Sequence, residues 1–112
     1  MSWLEISQSD ELALNDLQNE HLKLLKQQIE KDLQLELASH SPEDIVHGVL
    51  NFCQEKSTKN REELQTALYR VDVSEAILSK ALQEKSWPEE NILCWCILRR
   101  EYQKIRFRTS FK

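Results

Sequence analysis

A chain of 112 residues fits a single domain and buries roughly two-thirds of its unfolded surface, so it needs neither a metal nor a disulfide to fold. Its 40% hydrophobic and 30% charged residues are the balance of a folded domain, and its one glycine, Gly48, excludes the glycine-rich phosphate loops of nucleotide-binding folds. The net charge of −4 is unevenly spread: six basic residues and one acid from Arg99 to Lys112 make +5 there and leave −9 to the first 98 residues, a polarity that steers charged partners or pairs one copy head to tail with another.

Leu, Glu, Gln, Lys and Ala dominate, and all are good helix formers. They predict an all-α fold, a single-domain bundle of four to five helices over 1–112. Residues 1–9 are expected as a lead-in arm, too short for a helix of its own, with Trp3, Leu4 and Ile6 lying back on the domain or docking onto another copy. Ser7, Ser9 and Asp10 are candidate caps for a long first helix from about Glu11 to Leu37 or Ala38. Its apolar positions include Leu25, Ile29, Leu33 and Leu37, and spacing by four makes the stripe drift around the helix toward more than one neighbour.

Ser39-His40 reads as a break. Ser41-Pro42-Glu43-Asp44 is a helix start: a capping hydroxyl, a proline whose fixed φ suits the first helical position, and acids at the positive end of the dipole. The second helix is expected to run to Gln54 or Lys56, burying Ile45, Val46, Val49, Leu50, Phe52 and Cys53. Residues 57–60 read as a polar connector, with Asn60 and Glu63 as a cap pair. A third helix is expected over about Arg61–Tyr69. A turn at 69–75 then leads to a fourth helix ending near Gln83, unless 64–82 is one kinked helix. Ser86-Trp87-Pro88-Glu89 repeats the start signal, with Trp87 expected against Leu82 or Ile92. The last helix is expected from Pro88 to about Arg106, with Ile92–Leu98 as the buried spine and 107–112 as a tail whose order the sequence leaves open.

No constellation survives a geometric test for catalytic chemistry. His21, His40, His47, Cys53, Cys94 and Cys96 are the candidate metal ligands. Cys94 and Cys96 point about 200° apart if helical, and no CxxC or HxxxH pair exists, so no metal and no cofactor are expected. The cysteines read as small core hydrophobes. Acid pairs such as Glu62/Glu63 and Glu89/Glu90 sit at helix starts, where the dipole accounts for them. The expected protein is not an enzyme. An odd cysteine count, no signal peptide pattern and no apolar run of spanning length make the cytoplasm the expected compartment, with no membrane partner.

The positive signal is the C-terminal segment. Lys104, Arg106, Phe107, Arg108, Phe111 and Lys112 interleave cations with aromatic rings. That pattern suits an acidic protein surface, on a partner or on a second copy of the chain, and as an alternative it suits nucleic acid.

Leu68-Tyr69-Arg70-Val71-Asp72-Val73-Ser74-Glu75 and Ile97–Arg108 resemble a set of small uncharacterised helical bacterial proteins with an LYR-[IV]-D-V turn and a basic R-x-x-Q-K-I-x-x-R final helix. The resemblance covers the last 45 residues. It implies a bacterial cytosolic protein and transfers no functional residue. It also implies that turn and helix belong together, with Asp72 latched by Arg99 or Arg100 and Tyr69 stacked on an arginine.

Overall fold

The computed structural model describes residues 2–9 and 12–109, and of Thr109 only the backbone. Among the described residues there are six α-helices and one 3-10 turn, which is more than the four to five helices expected: α1 (Trp3–Ser7), the turn Leu14–Asp16, α2 (Asn19–Leu33), α3 (Pro42–Lys59), α4 (Arg61–Val71), α5 (Glu75–Glu84) and α6 (Glu89–Thr109). No strand occurs among them.

The extra helix comes from the N-terminal third. Residues 3–7 close one helical turn, burying Ile6 and Ser7. Ser7 and Ser9 do not cap a following helix. The Ser7 hydroxyl donates to Leu4 O at 3.2 Å and to Asn15 Oδ1 at 3.1 Å, and that of Ser9 donates to Ile6 O at 2.6 Å. Asp10, the third candidate cap, lies outside the described residues. Ala13 then takes the left-handed conformation (φ 46°), which lets the chain turn back before α2. The helix expected over 11–38 is therefore only Asn19–Leu33. It stops because Gln34 is also left-handed (φ 56°). The Glu30 carboxylate then accepts the Leu37 N–H at 2.9 Å, which bends 34–37 back along the helix end. Leu37 stays on the core without being helical, packed so closely on Gly48 of α3 that a β-carbon there would meet its δ-methyl group.

The start of α3 is as the residues dictate. Ser41 Oγ accepts from Asp44 N at 3.1 Å and Pro42 opens the helix. Ser39 reinforces the cap, donating to Asp44 Oδ2 at 2.7 Å and accepting from Ser41 N at 3.0 Å. Ser41→Ala is expected to cost about 1 kcal/mol, read as a lower urea midpoint with an unchanged denaturant slope. The connector expected at 57–60 is helical through Lys59, and Asn60 alone, at φ −155°, makes the corner. Asn60 Oδ1 accepts from Glu63 N at 3.0 Å and so caps α4. That helix ends at Asp72, in the left-handed conformation (φ 68°), with Val73 N donating back to Leu68 O at 3.1 Å. Ser74 caps α5.

The last helix is the centre of the packing. It lies most extensively on α3, and also on α2, α5 and α4, while α1 packs on α3. Ile92–Leu98 is buried throughout, and these seven residues meet the apolar sides of the neighbouring helices in one core. Past Leu98 only Glu101 and Ile105 remain buried among the described side chains, and Arg106, Phe107 and Arg108 are exposed. The helix continues to Thr109, so the tail expected from 107 is helical that far. Phe111 and Lys112 lie outside the described residues.

Candidate functional site

The basic residues of α6 divide into those held inside the molecule and those standing on its surface. Lys104 is held. Its Nζ lies 2.9 Å from Asp32 Oδ2 on α2 and 2.9 Å from Glu101 Oε1 one turn back on α6. That withdraws it from the partner surface expected of the whole segment. Asp32 is the hub of a polar seam between α2 and α6. Its carboxylate also accepts from Gln28 Nε2 at 2.9 Å, its carbonyl accepts from Arg70 at 3.0 Å, and Gln28 Oε1 in turn accepts from Arg108 at 3.0 Å.

Glu101 is the unusual member of the seam. It is 0% exposed, and Lys104 Nζ lies 2.9 Å from its Oε1. Burial raises its pKa from 4.5 to about 8; Lys104 opposes the shift, and the Asp32 charge adds to it. Glu101 is therefore mostly a neutral acid at pH 7. Burial pushes Asp32 in the same direction, but the hydrogen bonds from Lys104, Gln28 and protonated Glu101 outweigh it and hold Asp32 below the usual range. The two carboxyl groups share one ionisation between them, with Lys104 as its counter-charge. Sequence reading counted Glu101 only as the one acid in a basic segment. Its position, four after Ile97 and four before Ile105, is on the buried side of the helix, and that spacing is the signal that could have found it.

Arg100 reaches the turn after α4. Its guanidinium donates to Asp72 Oδ2 at 3.1 Å and to Asp72 O at 3.1 Å. This joins turn and helix at a surface site where such a pair contributes about 0–1 kcal/mol. Tyr69 takes no part: its side chain is 89% exposed, where a stack on an arginine would have covered one ring face. Arg99 turns the other way, its guanidinium 5.8 Å from the centre of the Trp95 ring. Lys85 completes that cluster, its ammonium 4.5 Å from the Trp95 ring and 4.6 Å from Trp87.

Of the remaining members of the expected surface, Arg106, Phe107 and Arg108 are described, and they stand together at the end of α6. Phe107 is 67% exposed on the last turns of α6. Two shallow clefts meet at its ring, one with Arg100, Gln103 and Arg106, the other with Gln28, Arg100, Lys104 and Arg108. An apolar ring set among guanidinium groups suits an acidic surface that offers an apolar pocket.

The cysteines are all buried and unpaired. Burial pushes the thiol of Cys53 up to about 12 and that of Cys96 up to about 11, and raises Cys94 well above its usual value. All three are protonated at neutral pH and are not nucleophiles. Cys94 Sγ faces Val46 O at 3.8 Å. Among the described residues no group of three His, Cys, Asp or Glu side chains is placed to hold a metal ion. His40 Nε2 pairs with Asn19 Oδ1 at 2.7 Å, and His47 lies 4.0 Å from Glu43. No helix is long and apolar enough to cross a membrane among the described residues.

Comparison with protein-family models, with curated proteins and with solved structures found no match to this chain.

Proposed function

We propose that the chain is a non-catalytic helical interaction protein that docks on a protein partner, or on a second copy of itself, through the basic end of α6. The observation that carries this reading is Phe107, two-thirds exposed among Arg100, Arg106 and Arg108. Arginine and large aromatic side chains supply most of the anchoring residues of protein interfaces. The −9 of the first 98 residues makes a second copy a chemically suitable partner. A non-catalytic role is supported by protonated thiols and by the enclosure of Glu101, the one strongly shifted carboxyl among the described residues. The proposal also places the protein in a reducing bacterial cytoplasm, on its unpaired thiols and on the motif residues 68–75 and 97–108.

Light scattering and affinity capture from lysate, each at low and high salt, test it. The expected result is a dimer or a captured protein at low salt that is released as salt rises. A monomer that retains nothing at low salt contradicts it.

Nucleic-acid binding is the second reading, favoured by the juxtaposition of Arg106, Phe107 and Arg108 and weakened by the engagement of Lys104 with Asp32. A gel-shift titration with single-stranded and duplex nucleic acid decides it. Affinity that falls steeply with salt supports it, and no shift at low salt removes it.

A further inference from the structure

Past Leu98, the apolar grip of α6 on the core is Ile105, with Tyr102 partly buried beside it. The end of the helix is also held by the polar seam with α2, through Lys104 to Asp32 at 2.9 Å and Arg108 to Gln28 at 3.0 Å. Glu101 closes the inner edge of that seam. It is fully enclosed, whereas the Lys104 and Asp32 side chains are 21% and 12% exposed, so water reaches the pair and stops short of Glu101. The charged groups that face its carboxyl are Lys104 of its own helix and Asp32 of α2. From α4, Arg70 reaches the same seam but donates to the Asp32 carbonyl, at 3.0 Å, and leaves both carboxyl groups to Lys104. Among the described residues α3 and α5 add no ion pair to it.

We propose that Glu101, Asp32 and Lys104 form a proton-controlled clasp: protonated, it holds residues 102–108 of α6 against α2, and ionised, it releases them while Ile92–Leu98 stays packed. While Glu101 keeps its proton, the two acids carry one negative charge, Lys104 balances it, and the proton is a hydrogen-bond donor to Asp32. Loss of the proton to water reverses both effects. The donor is gone, and a second carboxylate stands enclosed beside the first with one ammonium to serve the two. Parting α6 from α2 at Lys104 brings water to that charge. It uncovers Ile105 and spares the seven buried residues of the spine. The released turns carry Phe107 and Arg108, so a proton positions the basic end of the helix. The clasp does not rest on the docking reading, and its test needs no partner.

The sign follows from linkage. A carboxyl that binds its proton more tightly when enclosed favours the closed clasp in full below 4.5, and that contribution is lost as the pH rises through about 8. The open fraction therefore grows by up to about tenfold per pH unit between those values and levels off above them. Amide hydrogen exchange of the whole protein across this range is the test, read residue by residue as protection factors, which divide out the intrinsic pH dependence of exchange. Residues 102–108 are expected to be less protected than 92–98 at every pH. Their protection is expected to fall by up to about tenfold per pH unit and then to level off above about pH 8. In Glu101→Gln, which keeps the shape and never ionises, it is expected to be independent of pH. A flat wild-type profile, or the wild-type slope persisting in the variant, overturns the clasp. Equal protection of 102–108 and 92–98 at every pH also overturns it, because the helix end then opens only with the whole fold. If the variant does not fold, the wild-type profile decides alone.

Discussion

Replacing Glu101 by glutamine is expected to stabilise the protein above about pH 8 and to flatten its loss of stability as the pH rises. A carboxyl whose pKa is higher in the folded than in the unfolded state binds its proton more tightly when folded. For Glu101 that contribution is complete below 4.5 and is lost as the pH climbs through about 8. Once ionised, Glu101 is a buried charge beside the Asp32 carboxylate, with only Lys104 to serve both. Glutamine keeps the shape and never ionises. The expected gain is about 2 kcal/mol at alkaline pH, with little change near about pH 5. Asp32 acts in the opposite sense: its pKa is lowered, so its contribution is present above 3.8 and is lost as the pH falls through its lower folded value. The variant therefore keeps the acid limb of the profile. Urea denaturation of both proteins across the pH range is the measurement, and parallel profiles would show that Glu101 is not buried as described.

Leu98→Ala is expected to have the largest effect on stability. Leu98 is fully buried on the helix that packs against four others. Truncation there loses the transfer energy of the methyl groups and leaves a cavity that several helices cannot close together, at about 3 kcal/mol. Against a total of about 5–15 kcal/mol for a domain of this size, that is a substantial fraction. Chemical denaturation gives the value, and a change below about 1 kcal/mol would mean that α6 is not the centre of the core.

The sequence declared the starts of α3 and α4 and concealed the start of α2 and several helix ends. Ser41-Pro42 and Asn60 with Glu63 were legible because a cap needs particular side chains at fixed spacing. The breaks at Ala13 and Gln34 were not legible, because neither residue advertises a left-handed backbone. There the tertiary contacts of Leu12, Leu14 and Leu37 with the core override local helix preference, so the helix expected over 11–38 became a 3-10 turn, α2 and a non-helical segment that carries Leu37 back onto the core. The stripe of Leu25, Ile29 and Leu33 was correct as a buried face. Of the candidate surface, the division of 91–112 into a buried spine and a charged end was visible from spacing. The capture of Lys104 by Asp32 was not, because it joins residues far apart in the chain and follows from how α2 crosses α6.

We propose that the end of α6 serves recognition while its beginning serves the fold. It is tested most directly by capture from lysate with the wild-type protein and with Phe107→Asp side by side at low salt. Phe107 is two-thirds exposed, so the variant is expected to melt within about 2 °C of the wild type and to retain none of its partner. A correctly folded Phe107→Asp protein that retains the same partner in the same amount would contradict the account.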